Sequence, residues 1–249
     1  PNLRIPFPDG FAERLAGQRI DGVSRRAKYI LITLEDGAVV ILHLGMSGRL
    51  AVLDDAPSPG PHDHVDIVLE TGKRIRFCDP RRFGLLTLAE PGAVDSHRLL
   101  AHLGPDPLGN QFNDAVLAER LRGRGTSIKA ALLDQTVVAG LGNIYVCESL
   151  YRARISPKRL ARNVQGARAE RLTGCIRDVL NDALAAGGSS LRDYQKPTGE
   201  LGYFQHSFDV YDREGERCLD CDCDAPAGGG IQRLVQGGRS TFYCPHRQR

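Results

Sequence analysis

KAALLDQTVVAGLGNIYVCESLYRARISP, residues Lys129–Pro157, holds two short helix patterns separated by a glycine-bearing gap. Ile128, Ala131, Leu132 and Leu133 supply an apolar face at helical spacing, and Asp134-Gln135-Thr136 breaks it. Ile144, Cys147, Leu150 and Tyr151 repeat the pattern on a second helix. Between them lies Ala139-Gly140-Leu141-Gly142-Asn143, whose two glycines can take positive φ and let another backbone come close. Asn143 opens the second helix, where outward amide hydrogens and the helix dipole favour an anion. A plain capped helix pair would carry the same local pattern, so the surrounding charge has to decide.

That charge is concentrated. Residues 119–177 carry 12 Lys and Arg against 4 Asp and Glu, whereas 1–118 carry 13 against 15 and 178–249 carry 8 against 11. The net +3 therefore hides one basic stretch centred on the glycine turn, an electrostatic footprint for polyphosphate. Of the 33 basic residues 28 are Arg, the side chain suited to bidentate phosphate and base-edge contacts.

At 249 residues the chain can bury a real core and is expected to split into more than one domain. No apolar run approaches a membrane span, and the first residues lack a signal-peptide pattern. Cys78, Cys147 and Cys175 sit singly in apolar patterns, while the other four of the seven cysteines fall after residue 217. This distribution points to a metal site in a reducing compartment, the cytoplasm, rather than a disulfide framework.

In chain order, Pro1–Pro8 carries three prolines and Gly10–Leu15 offers one helical turn. Val23–Leu34 reads as one strand, Asp36-Gly37 as a hairpin turn, and Ala38–Leu44 as the next strand. Asp54–Pro61 is a loop; Val65–Leu69 and Arg74–Cys78 form a second hairpin about Thr71-Gly72, and Gly84–Ala89 one more strand. After the proline-bearing link Pro105–Leu108 the patterns turn helical, over Asp114–Arg122, the helix pair above and Ala167–Ala186. Ser207–Tyr211 reads as a strand entering the cysteine-rich tail. The fold class is α+β, with an N-terminal β-sandwich over 1–104, a helical domain over 105–206 and a small metal module over 207–249.

Cys218-Leu219-Asp220-Cys221 is half of a zinc knuckle, and Cys244 lies 23 residues beyond Cys221. The expected fourth thiolate at 247 is replaced by Arg247, leaving Cys223 or His246 to complete the set. One-residue spacing, which both share, is short for the usual knuckle geometry; the favoured set is three thiolates, Cys218, Cys221 and Cys244, with a borrowed fourth ligand, His246 or Cys223. Gly238–Phe242 reads as the tip and second strand of a hairpin that carries Arg239 outward.

Four motifs then stand together: His43-Leu44-Gly45-Met46-Ser47-Gly48-Arg49, Asp79-Pro80-Arg81-Arg82-Phe83-Gly84, Gly140-Leu141-Gly142-Asn143-Ile144-Tyr145 and Gly238-Arg239-Ser240-Thr241-Phe242-Tyr243-Cys244. In this order, over nearly the whole chain, they resemble the formamidopyrimidine-DNA glycosylase family. The resemblance implies a β-sandwich, a helix-two-turn-helix domain and a zinc-finger hairpin with one structural Zn2+. It also implies excision of oxidised purines from double-stranded DNA, followed by β,δ-elimination at the abasic site; a monomer is the simple expectation.

Roles follow from the same resemblance. Met46, Arg81 and Phe83 match the family's wedge, which fills the gap left by a flipped nucleotide while the guanidinium meets the orphaned cytosine. Lys28 matches a lysine acting near the lesion, usually credited with β-elimination, and Arg239 the finger arginine linked to phosphate binding and δ-elimination. His62 and Arg124 match DNA-contacting positions, Lys129 and Asn143 phosphate-gripping ones. Gly187–Tyr203 resembles a mobile lid over the flipped base.

One family feature is unmatched. The family's nucleophile is a proline in a Pro-Glu-Leu-Pro-Glu opening, whereas Pro1 is followed by Asn2-Leu3-Arg4, which resembles a segment just after the family's first helix and strand. Pro1 is accordingly not assigned that role. The alternative function is a damaged-DNA or abasic-site binding protein without base excision, or with lyase activity alone.

Overall fold

The stretch between Ile20 and Leu34 folds back on itself. Instead of the single strand expected over Val23–Leu34, β1 (Ile20–Arg26) and β2 (Tyr29–Leu34) pair antiparallel about Ala27-Lys28. Ala27 turns the chain at φ 54°, and the Arg25 guanidinium donates to its carbonyl at 2.8 Å. No glycine or asparagine marks this turn, so the pattern reads straight through it. The next turn is the expected one: Gly37 takes φ 82° and the Asp36 carboxylate accepts the Ala38 N–H at 2.9 Å.

The strands continue as β3 (Val39–His43), β4 (Arg49–Leu53), β5 (Asp63–Val68), β6 (Arg74–Cys78) and β7 (Leu85–Ala89). β4 carries no clear alternation that would mark it in the sequence. The strands form a four-stranded antiparallel sheet, β1-β2-β3-β7, and a three-stranded one, β4-β6-β5. Leu42 and Leu86 of the first sheet share one apolar cluster with Phe77 of the second, flanked by Ile30, Leu50 and Val65. The two sheets thus close on a common core as a sandwich. Across β5 and β6, the nearly buried Arg76 grips Asp66 with two 2.7 Å bonds, a fork-to-carboxylate pair between directly opposed residues.

Residues 3–189, 202–223 and 229–249 are described by this computed structural model. They fall into two units, Pro1–Ala101 with Ala186–Gln205, and His102–Ala185 with His206–Arg249. The expected lid, 187–203, lies mostly outside the described residues. The first unit also holds a short helix, α1 (Phe11–Leu15).

In the second unit, α2 (Asp114–Leu121) starts at Asn113, whose side chain accepts the Val116 N–H, and α3 (Ile128–Leu133) starts at Ser127, which does the same for Ala130. α4 (Asn143–Arg152) and α5 (Ala167–Ala185) complete the helices. Leu117, Leu121, Ile128, Leu132, Leu150 and Ile176 meet in one buried cluster. The turn between α3 and α4 is fastened by Gln135, which donates to the Leu133 and Leu141 carbonyls and accepts the Gly140 N–H at 2.8 Å.

Ser207–Tyr211 does not form the expected strand. A 3-10 turn covers Phe204–Ser207, and the amides that follow find a side chain rather than a sheet partner. Fully buried Glu148 of α4 accepts the N–H groups of Asp209, Val210 and Tyr211 at 2.8, 3.1 and 2.8 Å. Burial pushes the Glu148 carboxyl up, and these three donors pull it back. The chain ends in a hairpin, β8 (Gln232–Gln236) and β9 (Arg239–Tyr243), whose Gly237 and Gly238 both have positive φ, as a two-residue primed turn requires.

Candidate nucleic-acid interface and metal centre

Two loops of the sandwich are locked together with no room between them. Gly45 sits at φ 70°, and a Cβ there would fall 2.5 Å from the Gly84 nitrogen; a Cβ on Gly84 would fall 2.5 Å from the Phe77 ring. Behind them the fully buried Asp79 carboxylate accepts the Ser47 hydroxyl at 2.6 Å and the Gly84 N–H at 2.7 Å. Ser47 in turn accepts the Arg81 N–H at 3.2 Å. This lock holds three large side chains out of the core: Met46 is 66% exposed, Phe83 44%, and the exposed Arg81 guanidinium lies 4.9 Å over the Phe83 ring. Met46, Arg81 and Phe83 therefore occur as one exposed group on one clamp.

Lys28 is exposed in the β1–β2 turn. Its charge acts on His43, the first residue of the His43–Arg49 motif, for which the resemblance implies no role. The His43 Nδ1 accepts the Gly45 N–H at 2.9 Å and its ring lies 5.0 Å from Tyr29. Burial first, then Lys28 and Arg4, push its pKa down to about 4, so the imidazole is neutral. His62 is exposed, and its carbonyl accepts the Asp79 N–H at 2.9 Å.

In the second unit, the Ser240 carbonyl next to Arg239 accepts both the Lys129 ammonium and the Asn143 amide, each at 2.9 Å. Lys129 also donates to Thr241 Oγ1 at 2.6 Å, and Asn143 to the Tyr211 hydroxyl at 3.2 Å. Lys129, expected at a phosphate, is fully buried; burial lowers its pKa, and its observed partners are the hairpin's own atoms. In this position on α3 the ammonium holds the hairpin whose tip exposes Arg239. Asn143 stands at the first residue of α4, where Gly142 supplies no side-chain cap, and its Oδ1 is buried without a partner. Arg124 is half-buried and paired with Asp134 at 3.1 Å.

The structure decides between the two candidates for the fourth metal ligand. Cys218, Cys221, Cys223 and Cys244 bring their sulfurs within 4.8 Å of one another, while His246 is exposed. Cys221 and Cys223 Sγ lie 3.5 and 3.7 Å from Cys244 Sγ, close to the roughly 3.8 Å edge of a tetrahedron with 2.3 Å metal–sulfur bonds. Cys223 is buried in one cluster with Phe242 and Cys244, a proximity that a linear spacing rule does not register. The four thiols form a site able to hold one metal ion.

The N-terminal domain model of formamidopyrimidine-DNA glycosylase matches residues 1–86, and that family's H2TH domain model matches 103–195. The chain is 60% identical over 262 residues to a formamidopyrimidine-DNA glycosylase of Rhodospirillum centenum, covering 100% of this chain and 90% of that protein. It belongs to the formamidopyrimidine-DNA glycosylase family. A second relative bearing that description, from Rhodospirillum rubrum, is 57% identical over 251 residues, covering 100% of this chain and 89% of its own. The crystal structure of MutM (Fpg) from Thermus thermophilus superposes with a TM-score of 0.85 at 40% identity, covering 97% of this chain and 86% of that one. The Lactococcus lactis Fpg mutant G226P bound to DNA containing Fapy-dG superposes with a TM-score of 0.85 at 34% identity, covering 96% and 86%. Family membership agrees with the sandwich, the helix pair and the terminal hairpin described above.

Proposed function

We propose that this chain is a DNA repair glycosylase that removes oxidised purines from double-stranded DNA and cleaves the strand at the resulting abasic site. The observation that carries the reading is the exposed Met46–Arg81–Phe83 group held on the Asp79–Ser47 clamp. Apolar side chains standing in water on a rigid mount suit insertion into a base stack, where unstacking needs a filler for the space vacated. Met46 and Phe83 fill that space, and Arg81 donates to the base left without a partner. Asn143 and Arg239 grip phosphates, with His62 and Arg124 as further DNA contacts, and Lys129 keeps the hairpin in register. Lys28 supplies a primary amine for β-elimination, and Arg239 assists δ-elimination.

The four cysteines suit Zn2+, since an all-thiolate tetrahedron is a closed structural set. Bound there, the ion would fasten the loop Cys218–Cys223 to β9 and so fix the hairpin. We read the chain as three modules, 1–104, 105–206 and 207–249, acting as a cytoplasmic monomer.

The alternative reading is a damaged-DNA or abasic-site binder, with lyase activity alone or none. Borohydride trapping on a duplex carrying 8-oxoguanine opposite cytosine separates them. A covalent adduct supports the glycosylase. Tight binding with no adduct on 8-oxoguanine supports the second reading, and binding no tighter than to undamaged DNA overturns both.

A further inference from the structure

Position 247, where a second Cys-x-x-Cys pair would end, is filled by an arginine with defined partners. The Arg247 side chain is 12% exposed, lies 4.7 Å over the Tyr151 ring and pairs with Asp220 Oδ2 at 2.9 Å. Tyr151, fully buried on α4, places its hydroxyl 3.1 Å from Cys218 Sγ and 3.4 Å from the same Asp220 oxygen. One phenol hydrogen thus faces two acceptors, one a metal ligand and the other a carboxylate already held by Arg247.

We propose that Tyr151 and Arg247 form the outer shell of the metal centre, an inference that rests on the four-cysteine site holding a metal. When a divalent ion binds, Cys218 loses its thiol hydrogen to solvent and becomes an acceptor only. The phenol hydrogen then goes to that sulfur, and Asp220 keeps the guanidinium as its donor. Hydrogen bonds to a ligand orient it and tune its donor strength. Arg247 is therefore a positioning residue that acts on Cys218 through Asp220 and the Tyr151 phenol.

The test uses the purified full chain loaded with Co2+ as a spectroscopic probe, together with the rate of Zn2+ release to a chromophoric chelator. Cys223→Ser checks the underlying reading and should remove about a quarter of the thiolate-to-cobalt charge-transfer intensity. Tyr151→Phe keeps the ring under Arg247 but removes the hydroxyl. It should retain full intensity, move the band to lower energy because the sulfur becomes a stronger donor, and weaken metal affinity about 10- to 100-fold, seen as faster release. Arg247→Gln, on the outer side of the ring, should also accelerate release with all four thiolates retained. If both variants match the parent in band position and release rate while Cys223→Ser loses intensity, the outer shell is refuted and the metal site stands. If Cys223→Ser changes nothing, or the parent takes up no ion, both ideas fall.

Discussion

Asp79 and Ser47, 32 residues apart in sequence, share a buried 2.6 Å hydrogen bond that ties together the two loops carrying Met46, Arg81 and Phe83. Replacing Asp79 by Ala strands the Ser47 hydroxyl and the Gly84 N–H where water does not reach. The expected loss is about 1–3 kcal/mol for each buried polar group left unpaired, with Ser47→Ala milder at about 1 kcal/mol. Urea unfolding measures both. An Asp79→Ala chain as stable as the parent would show that the clamp is ornamental.

His43 gives the sandwich an acid limit. Its folded pKa, near 4, lies below the ordinary 6.5, so the unfolded chain takes up the proton first as pH falls. The associated stability is complete above about pH 6.5 and drains away toward pH 4, amounting to at most about 3 kcal/mol. Protonation at Nδ1 would also break the bond from Gly45 that shapes the Met46 loop. His43→Gln should flatten stability against pH across that window; an unchanged slope would exclude His43 as the sensor.

Arg81 and Asn143 should fail in different ways. Arg81→Ala is expected to reduce discrimination of the base opposite a lesion by about tenfold to a hundredfold, the worth of a lost bidentate base contact. Asn143→Ala should weaken binding to damaged and undamaged duplexes by similar factors, because phosphate contacts position without specifying. Titrations against paired duplexes at one fixed salt concentration distinguish the two patterns. The assignments are reversed if Asn143→Ala alone abolishes lesion preference.

Lys129→Met removes the ammonium that holds Ser240 and Thr241 while keeping the bulk of the side chain. Hydrogen exchange at the amides of β9 should quicken, and DNA affinity should fall although residue 129 is buried. Exchange equal to the parent would mean that Asn143 alone suffices as the fastening.

Metal removal should reach the same hairpin from its other end. A strong chelator is expected to increase protease cleavage after Arg233 and Arg239 and to lower DNA affinity, with recovery on adding Zn2+. A chain that contains no zinc as purified, and gains none, would not follow this course.

Much of the fold could be read from residues because several turns announced themselves. Asp36-Gly37, Thr71-Gly72 and Gly237-Gly238 each mark a reversal that the structure contains. The β1–β2 turn could not be read, since Ala27 carries a positive φ that alanine does not advertise. Ser207–Tyr211 misled for a different reason: its alternation is real, but its amides belong to Glu148, 61 to 63 residues earlier. The site divides along the same line. Motifs single out Met46, Arg81, Phe83 and Asn143 from their local context, and the structure sets the first three on one clamp. Cys223 and the burial of Lys129 depend on where a distant strand comes to rest, which spacing along the chain does not encode.

The zero-clearance glycines have a consequence for anyone who edits this protein. Gly45 and Gly48 leave no space for a side chain against Phe83–Gly84 and Leu44, and Gly84 leaves none against Phe77. The segments 43–48 and 79–84 are therefore matched halves, like a key cut for one barrel. Grafting either from a relative with different backbone geometry would jam the fit, whereas exchanging both as a cassette should transfer the probing tip intact.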